Sequence, residues 1–232
     1  PKYGIWALVI GTLKITVIAT IVAVPIGLGA AIYLSEYASD KARRIIKPIL
    51  EILAGIPTIV FGFFALTFVT PVLRTIIPAL DSFNSVSPGI VVGIMIVPVI
   101  TSMSEDAMAS VPNKIREGAY GLGSTKFEVA TKVVLPAAAS GVVASIVLGI
   151  SRAIGETMIV SLAAGSSPTA SLNLTNSIQT MTGYIVEVAT GDATFGSDMY
   201  YSIYAVGFTL FIFTLIMNLI SYWISKRFRE EY

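Results

Sequence analysis

Two ionisable residues sit where charge is costly. The segment Ser151-Arg152-Ala153-Ile154-Gly155-Glu156-Thr157-Met158 lies inside an apolar run from about 137 to 164. An arginine at the centre of a bilayer costs about 2.5–3.5 kcal/mol on insertion scales, so it persists where it pairs or faces a polar path. A spacing of four places Arg152 and Glu156 on one helix face. Two readings follow: a self-satisfied pair that locks helices, or a cation lining an anion path with Glu156 balancing it between substrates. The guanidinium suits the second role. Its planar fork offers two hydrogen bonds to an oxyanion, and its charge survives any working pH. Lys14 is another cation in an apolar run, either snorkelling to the interface or attracting anions. Pro57-Thr58 interrupts a third run, which frees a backbone carbonyl and bends the helix beside a hydroxyl.

The residue inventory excludes much other chemistry. With no Cys and no His, the chain has no disulfide, thiol nucleophile, catalytic imidazole or common zinc site. No catalytic residue and no metal ligand set is expected. No Gly-x4-Gly-Lys-Ser/Thr occurs, so no ATP P-loop is present. A net charge of +1 gives no electrostatic case for nucleic acid.

The elements that position these residues are read from hydropathy. Of 232 residues, 55% are hydrophobic and 12% charged, with mean hydropathy +0.82. A soluble domain carries about 25% charge. The chain therefore reads as an integral membrane protein. Crossing the hydrocarbon takes about 20 apolar residues, and five stretches qualify: 5–34, 49–73, 88–103, 137–164 and 200–223. Gly89 and Gly93 in the third permit close helix contact, a pattern frequent by chance. The outer loop 165–199 carries apolar residues at 178, 181, 185 and 188, the spacing of a short helix.

Lys41, Arg43, Arg44 and Lys47 lie between spans one and two, and Lys114, Arg116, Lys126 and Lys132 between spans three and four. Lys226, Arg227 and Arg229 lie in the tail, while the other side carries Lys2 and Arg74. The positive-inside rule places the C-terminus and the loop at 104–136 in the cytoplasm. That loop reads as helix, glycine turn, helix: Asn113 is a candidate N-cap, Gly121-Leu122-Gly123-Ser124 a break, and Ser124 or Thr125 the next cap before Pro136. A short helix with one exposed face fits a groove on a partner.

The loop spacing, Glu117-Gly118-Ala119, then Gly123, then Val133-Val134-Leu135-Pro136, resembles the EAA loop of ABC importer permeases, with Gly118 and Val133 replacing Ala and Ile. The segment from Arg152 to Thr157 is similar to the signature of phosphate-specific permeases. So are Leu53-Ala54-Gly55-Ile56-Pro57-Thr58 and Leu34-Ser35-Glu36-Tyr37, and the similarity runs from about 11 to 229. Met158 leans toward the PstC-type subunit. The resemblance implies an all-α polytopic bundle of the type I (MetI-like) permease fold, with one transmembrane domain over 1–232 containing the coupling loop at 104–136. It implies a subunit that imports inorganic phosphate by alternating access across a bacterial or archaeal cytoplasmic membrane.

The implied partners are a PstA-like permease, a PstB-like ATPase dimer holding ATP and magnesium, a PstS-like binding protein, and lipid. Arg152, Glu156, Thr157, Pro57 and Thr58 would line the pathway. Glu117, Gly118, Ala119, Gly123, Leu135 and Pro136 would face the ATPase. Glu156 would accept a hydrogen bond from protonated phosphate that sulfate cannot offer. Permeases of this family carry a further span before the position of Pro1, and no signal peptide is legible there. Sulfate, molybdate or another solute as cargo, and an ATP-independent channel or secondary transporter, remain the alternatives at this point.

Overall fold

The computed structural model describes residues 4–191 and 193–227; Lys2 and Arg229 lie outside them. Helix α1 (Ile5–Ile32) continues into a π-helical turn, Tyr33–Tyr37. Next come α2 (Asp40–Gly55), α3 (Thr58–Phe64), a π-helical turn at Ala65–Val69 and α4 (Thr70–Ile76). Then follow α5 (Val86–Ala109) and α6 (Asn113–Gly121). A single course holds α7 (Lys126–Glu128), a π-helical turn Val129–Val134 and α8 (Leu135–Ala137). The remaining elements are α9 (Ala139–Ile154), α10 (Met158–Ala163), α11 (Met181–Thr190) and α12 (Asp198–Arg227).

Among the described residues, four helical stretches are long and apolar enough to cross a membrane: Ile5–Tyr37, Thr58–Ile76, Val86–Ala109 and Asp198–Ile220. The pair Lys126–Ala137 and Ala139–Ile154, bent by 74°, makes a fifth when counted as one broken span. The chain is an all-α multi-pass membrane protein. Two expected spans differ in detail. Residues 49–55 belong to α2, not to the second span, because the chain is fully interrupted at Ile56-Pro57. The fourth apolar run is not one helix, because it stops at Ile154 and restarts at Met158.

Two compact units divide the chain. One takes the chain up to Val22, with Ile56–Met95 and Ile150–Ile216. In it, α1 hides its hydroxyls by local bonding. Thr12, Thr16 and Thr20 donate to the carbonyls of Leu8, Thr12 and Thr16, which satisfies polar groups inside an apolar helix. The Gly89/Gly93 pair does bring helices close. A Cβ at Gly89 would stand 2.7 Å from Ile18 Cβ, and one at Gly93 2.9 Å from the Ala19 carbonyl. The expected outer helix is α11, capped by Thr180, whose Oγ1 accepts from Gly183 N–H at 3.0 Å. Thr12 Oγ1 accepts from Met181 N–H at 3.1 Å. Lys14 is 7% exposed, and its ammonium donates to the Asn173 carbonyl of the outer loop at 2.8 Å.

The other unit takes Ala23–Gly55, Ile96–Gly149 and the chain from Met217. Its core gathers Ala31, Met108, Val111, Val129, Val134, Ala138 and Val142. Two polar pairs brace it: Ser104 and Ser145 hydroxyls at 2.6 Å, and Lys47 Nζ on Glu105 Oε2 at 2.7 Å.

Candidate functional site

The expected pathway residues fall in the first unit, around two helix breaks. Helix α9 ends at Ile154, and Gly155 N–H still reaches back to the Ser151 carbonyl. The chain then leaves helical geometry, so the four-residue spacing of Arg152 and Glu156 no longer puts them on one face. Glu156 turns inward to 8% exposure. Its Oε1 accepts from the N–H groups of Met158 and Ile159 at 3.1 and 3.2 Å. It therefore caps α10, answering two of the amide donors that a helix start leaves open. Thr182 Oγ1 donates to the Glu156 carbonyl at 2.7 Å, which ties the break to α11. Glu156 Oε2 receives no hydrogen bond among the described residues.

Arg152 is exposed in the last turn of α9. Among the described residues it has no hydrogen-bond or ion-pair partner. The self-satisfied Arg–Glu lock is thus not what the structure holds. Thr157 Oγ1 donates to the Gly155 carbonyl at 3.2 Å, while the Thr157 carbonyl accepts from Ser161. At the other break, Pro57 is extended (φ −58°, ψ 137°) and exposed, and Thr58 begins α3 half-buried. Helices α3 and α10 pack backbone to backbone at Gly62. A Cβ there would stand 3.1 Å from the Met158 carbonyl and 3.2 Å from Ile159 Cα. The two helices that restart after breaks are therefore each other's neighbours.

The expected coupling residues fall in the second unit. Asn113 is the first residue of α6, and Pro112 holds the cap position. Helix α6 ends in a Schellman motif: Ser124 N–H bonds the Ala119 carbonyl at 3.1 Å and Gly123 N–H the Tyr120 carbonyl at 2.9 Å. Gly123 takes φ +86°, open to glycine at no steric cost. Thr125 then forms a capping box with Glu128, Glu128 N–H to Oγ1 at 3.3 Å and Thr125 N–H to Oε2 at 3.0 Å. The Thr125 amide, followed by Lys132, holds the Glu128 carboxyl at about 2 rather than 4.5.

Ala119 and Leu135 pack on the core, Glu117, Gly118 and Pro136 are exposed, and a Cβ at Gly118 would touch nothing. Two residues escaped the sequence reading. Leu122 is 90% exposed and Phe127 67%, so the turn presents apolar side chains outward. The signal was legible as a leucine between turn glycines, where a solvated loop would carry a polar residue.

The chain is similar to known proteins in sequence and in fold. A family described as binding-protein-dependent transport system inner membrane component matches residues 23–230. The probable ABC transporter permease protein YqgH of Bacillus subtilis (strain 168) is 32% identical over 98% of this chain and 73% of its own length. The phosphate transport system permease protein PstC of Xylella fastidiosa (strain 9a5c) is 34% identical over 95% of this chain and 73% of its own. A probable phosphate transport system permease protein PstC of Methanocaldococcus jannaschii is 30% identical over 99% and 77%. In fold, a chain of the inward-facing MetNI methionine ABC transporter superposes with a TM-score of 0.73 at 18% identity, covering 99% of this chain and 100% of that one.

Proposed function

We propose that this chain, which belongs to the binding-protein-dependent transport system inner membrane component family, is a PstC-type permease subunit of an ATP-driven importer of inorganic phosphate. The observation that carries the cargo is the identity of 30–34% to phosphate permeases over nearly the whole chain. The chemistry of the break supports it. Arg152 is a cation with no partner among the described residues, inside an apolar run, and its fork matches two phosphate oxygens. The start of α3 at Thr58 adds amide donors at the positive end of a helix. Glu156 keeps one oxygen for capping and the other for a protonated phosphate oxygen. In this reading Arg152 is the group that meets the tetrahedral anion, with Pro57 and Thr157 shaping the two breaks.

The machine around it is assigned from the family. A homologous PstA-like permease completes the path, and a PstS-like binding protein delivers phosphate from outside. Each permease meets one ATPase subunit, where ATP and magnesium reside, through the loop that shows Leu122 and Phe127. This chain carries no hydrolytic step. The basic loops and tail support a C-terminus in the cytoplasm of a bacterial or archaeal cell. ATP-driven closure of the ATPase dimer moves the loop and switches the path from one side to the other.

The test is radiolabelled phosphate uptake in cells lacking their own high-affinity import, with the full-length permease and its cognate partners supplied. ATP-dependent uptake that excess sulfate leaves intact supports the reading. An assembled, ATP-hydrolysing complex that takes up sulfate or molybdate instead moves the cargo assignment to that anion.

A further inference from the structure

Arg116 lies one residue before Glu117 and is drawn into the protein rather than out of it. Its Nη2 donates to Glu36 Oε1 at 3.0 Å and to the Met108 carbonyl at 2.7 Å. Its Nε reaches both Glu36 oxygens at 3.3 and 3.4 Å. Its Nη1 donates to the Val111 carbonyl and to Asn113 Oδ1. The two side chains are 13% and 5% exposed. One guanidinium thus joins α6 to the end of the first span and to the end of α5. Met108 is in the last turn of α5, and its carbonyl also accepts from the Val111 N–H at 3.2 Å.

Glu36 is itself held. It lies in the π-helical turn Tyr33–Tyr37, a form that recurs at functional sites. Ser35 Oγ donates to its Oε1 at 2.8 Å. Arg43 donates to the Leu34 and Ser35 carbonyls, both at 2.8 Å, and Lys126 Nζ stands 5.1 Å from the centre of the Tyr37 ring. The remaining contact of α6 with its core is apolar, through Ile115 and Ala119. Apolar contacts are non-directional and let a short helix slide. A forked, buried ion pair fixes direction and register. Such pairs add little stability over an apolar replacement, and registry is their best-attested use.

We propose that the Glu36–Arg116 ion pair is a coupling strut, two positioning residues that transmit displacement of the 113–136 loop to the end of the first span. This rests on the reading of that loop as the ATPase-docking element. The strut does not touch phosphate or nucleotide. Its loss leaves hydrolysis running and import failing.

The experiment uses the assembled transporter in proteoliposomes with phosphate-binding protein and measures ATP hydrolysed per phosphate imported. Glu36→Gln keeps shape and hydrogen-bond acceptor and removes the charge. Its ATP-to-phosphate ratio is expected to rise about tenfold, within the range of ordinary coupling free energies, with ATPase subunits still bound. An unchanged ratio in an assembled Glu36→Gln transporter overturns the strut. Where Glu36→Gln does not accumulate, Arg116→Lys decides. It keeps the charge pair but gives up the fork to two carbonyls, so a raised ratio supports the strut and an unchanged one overturns it. A transporter with Glu36 and Arg116 intact separates this claim from the docking reading. If its ATPase subunits stay attached when Leu122 and Phe127 are both changed to Asp, the docking reading fails, whatever the ratios are.

Discussion

At the scale of single residues, the proposed pathway gives Glu156 two jobs with two oxygens. Oε1 serves the amides of Met158 and Ile159, and in that proposal Oε2 meets the substrate. Glu156→Ala removes the cap and costs about 1–2 kcal/mol, seen as a lower unfolding temperature in detergent. Glu156→Gln retains an oxygen for the cap and melts like the parent. A glutamine also offers N–H donors, so it stops repelling an anion without protons. Sulfate is then expected to compete with phosphate uptake in Glu156→Gln and not in the parent. Continued rejection of sulfate by Glu156→Gln removes this carboxylate from the selectivity account. That Arg152 and Glu156 stand out was legible in the sequence, since charge in an apolar run needs a reason. Their relation was not. The four-residue rule assumes an unbroken helix, and nothing in an apolar run shows that Gly155 ends one.

At the scale of elements, the coupling loop was the part most open to sequence reasoning, because turn and cap chemistry is local. The Gly123 break and the Thr125 cap lie where their residue types place them. The glycines of this loop differ in purpose, and substitution separates them. Gly123→Ala forces a side chain into a left-handed position and costs about 1–2 kcal/mol. Gly118→Ala meets no atom within 4 Å and should stabilise α6 by about 0.5–1 kcal/mol. Thermal unfolding of the two variants should therefore shift in opposite directions, with uptake preserved in Gly118→Ala. The span ends were harder to read. Residues 49–55 are as apolar as a span, yet Pro57 hands them to α2, whose Arg43 and Lys47 bind the Ser35 carbonyl and Glu105. Gly89 and Gly93 looked like chance and are a close contact with α1, because helix pairing is a tertiary fact that no local window contains.

At the scale of the whole molecule, much apolar surface faces outward. Only 6% of the span window in Asp198–Ile220 is buried within the chain, as suits a multi-pass membrane protein. The approximate number of spans was legible because hydropathy acts over long stretches. Leu122 and Phe127 mark where the chain meets an ATPase in this account. Changing both to Asp should abolish co-purification of the ATPase subunit while the permease still reaches the membrane, by immunoblot of membrane fractions. Retained co-purification would move the docking surface elsewhere. The central claim is that the unpartnered cation at the α9–α10 break handles the anion in transit. Phosphate uptake by the assembled transporter with Arg152→Ala tests it most directly, with ATPase binding as the control for assembly. The account predicts uptake reduced to background with assembly intact. Near-normal uptake by an assembled Arg152→Ala transporter would contradict it.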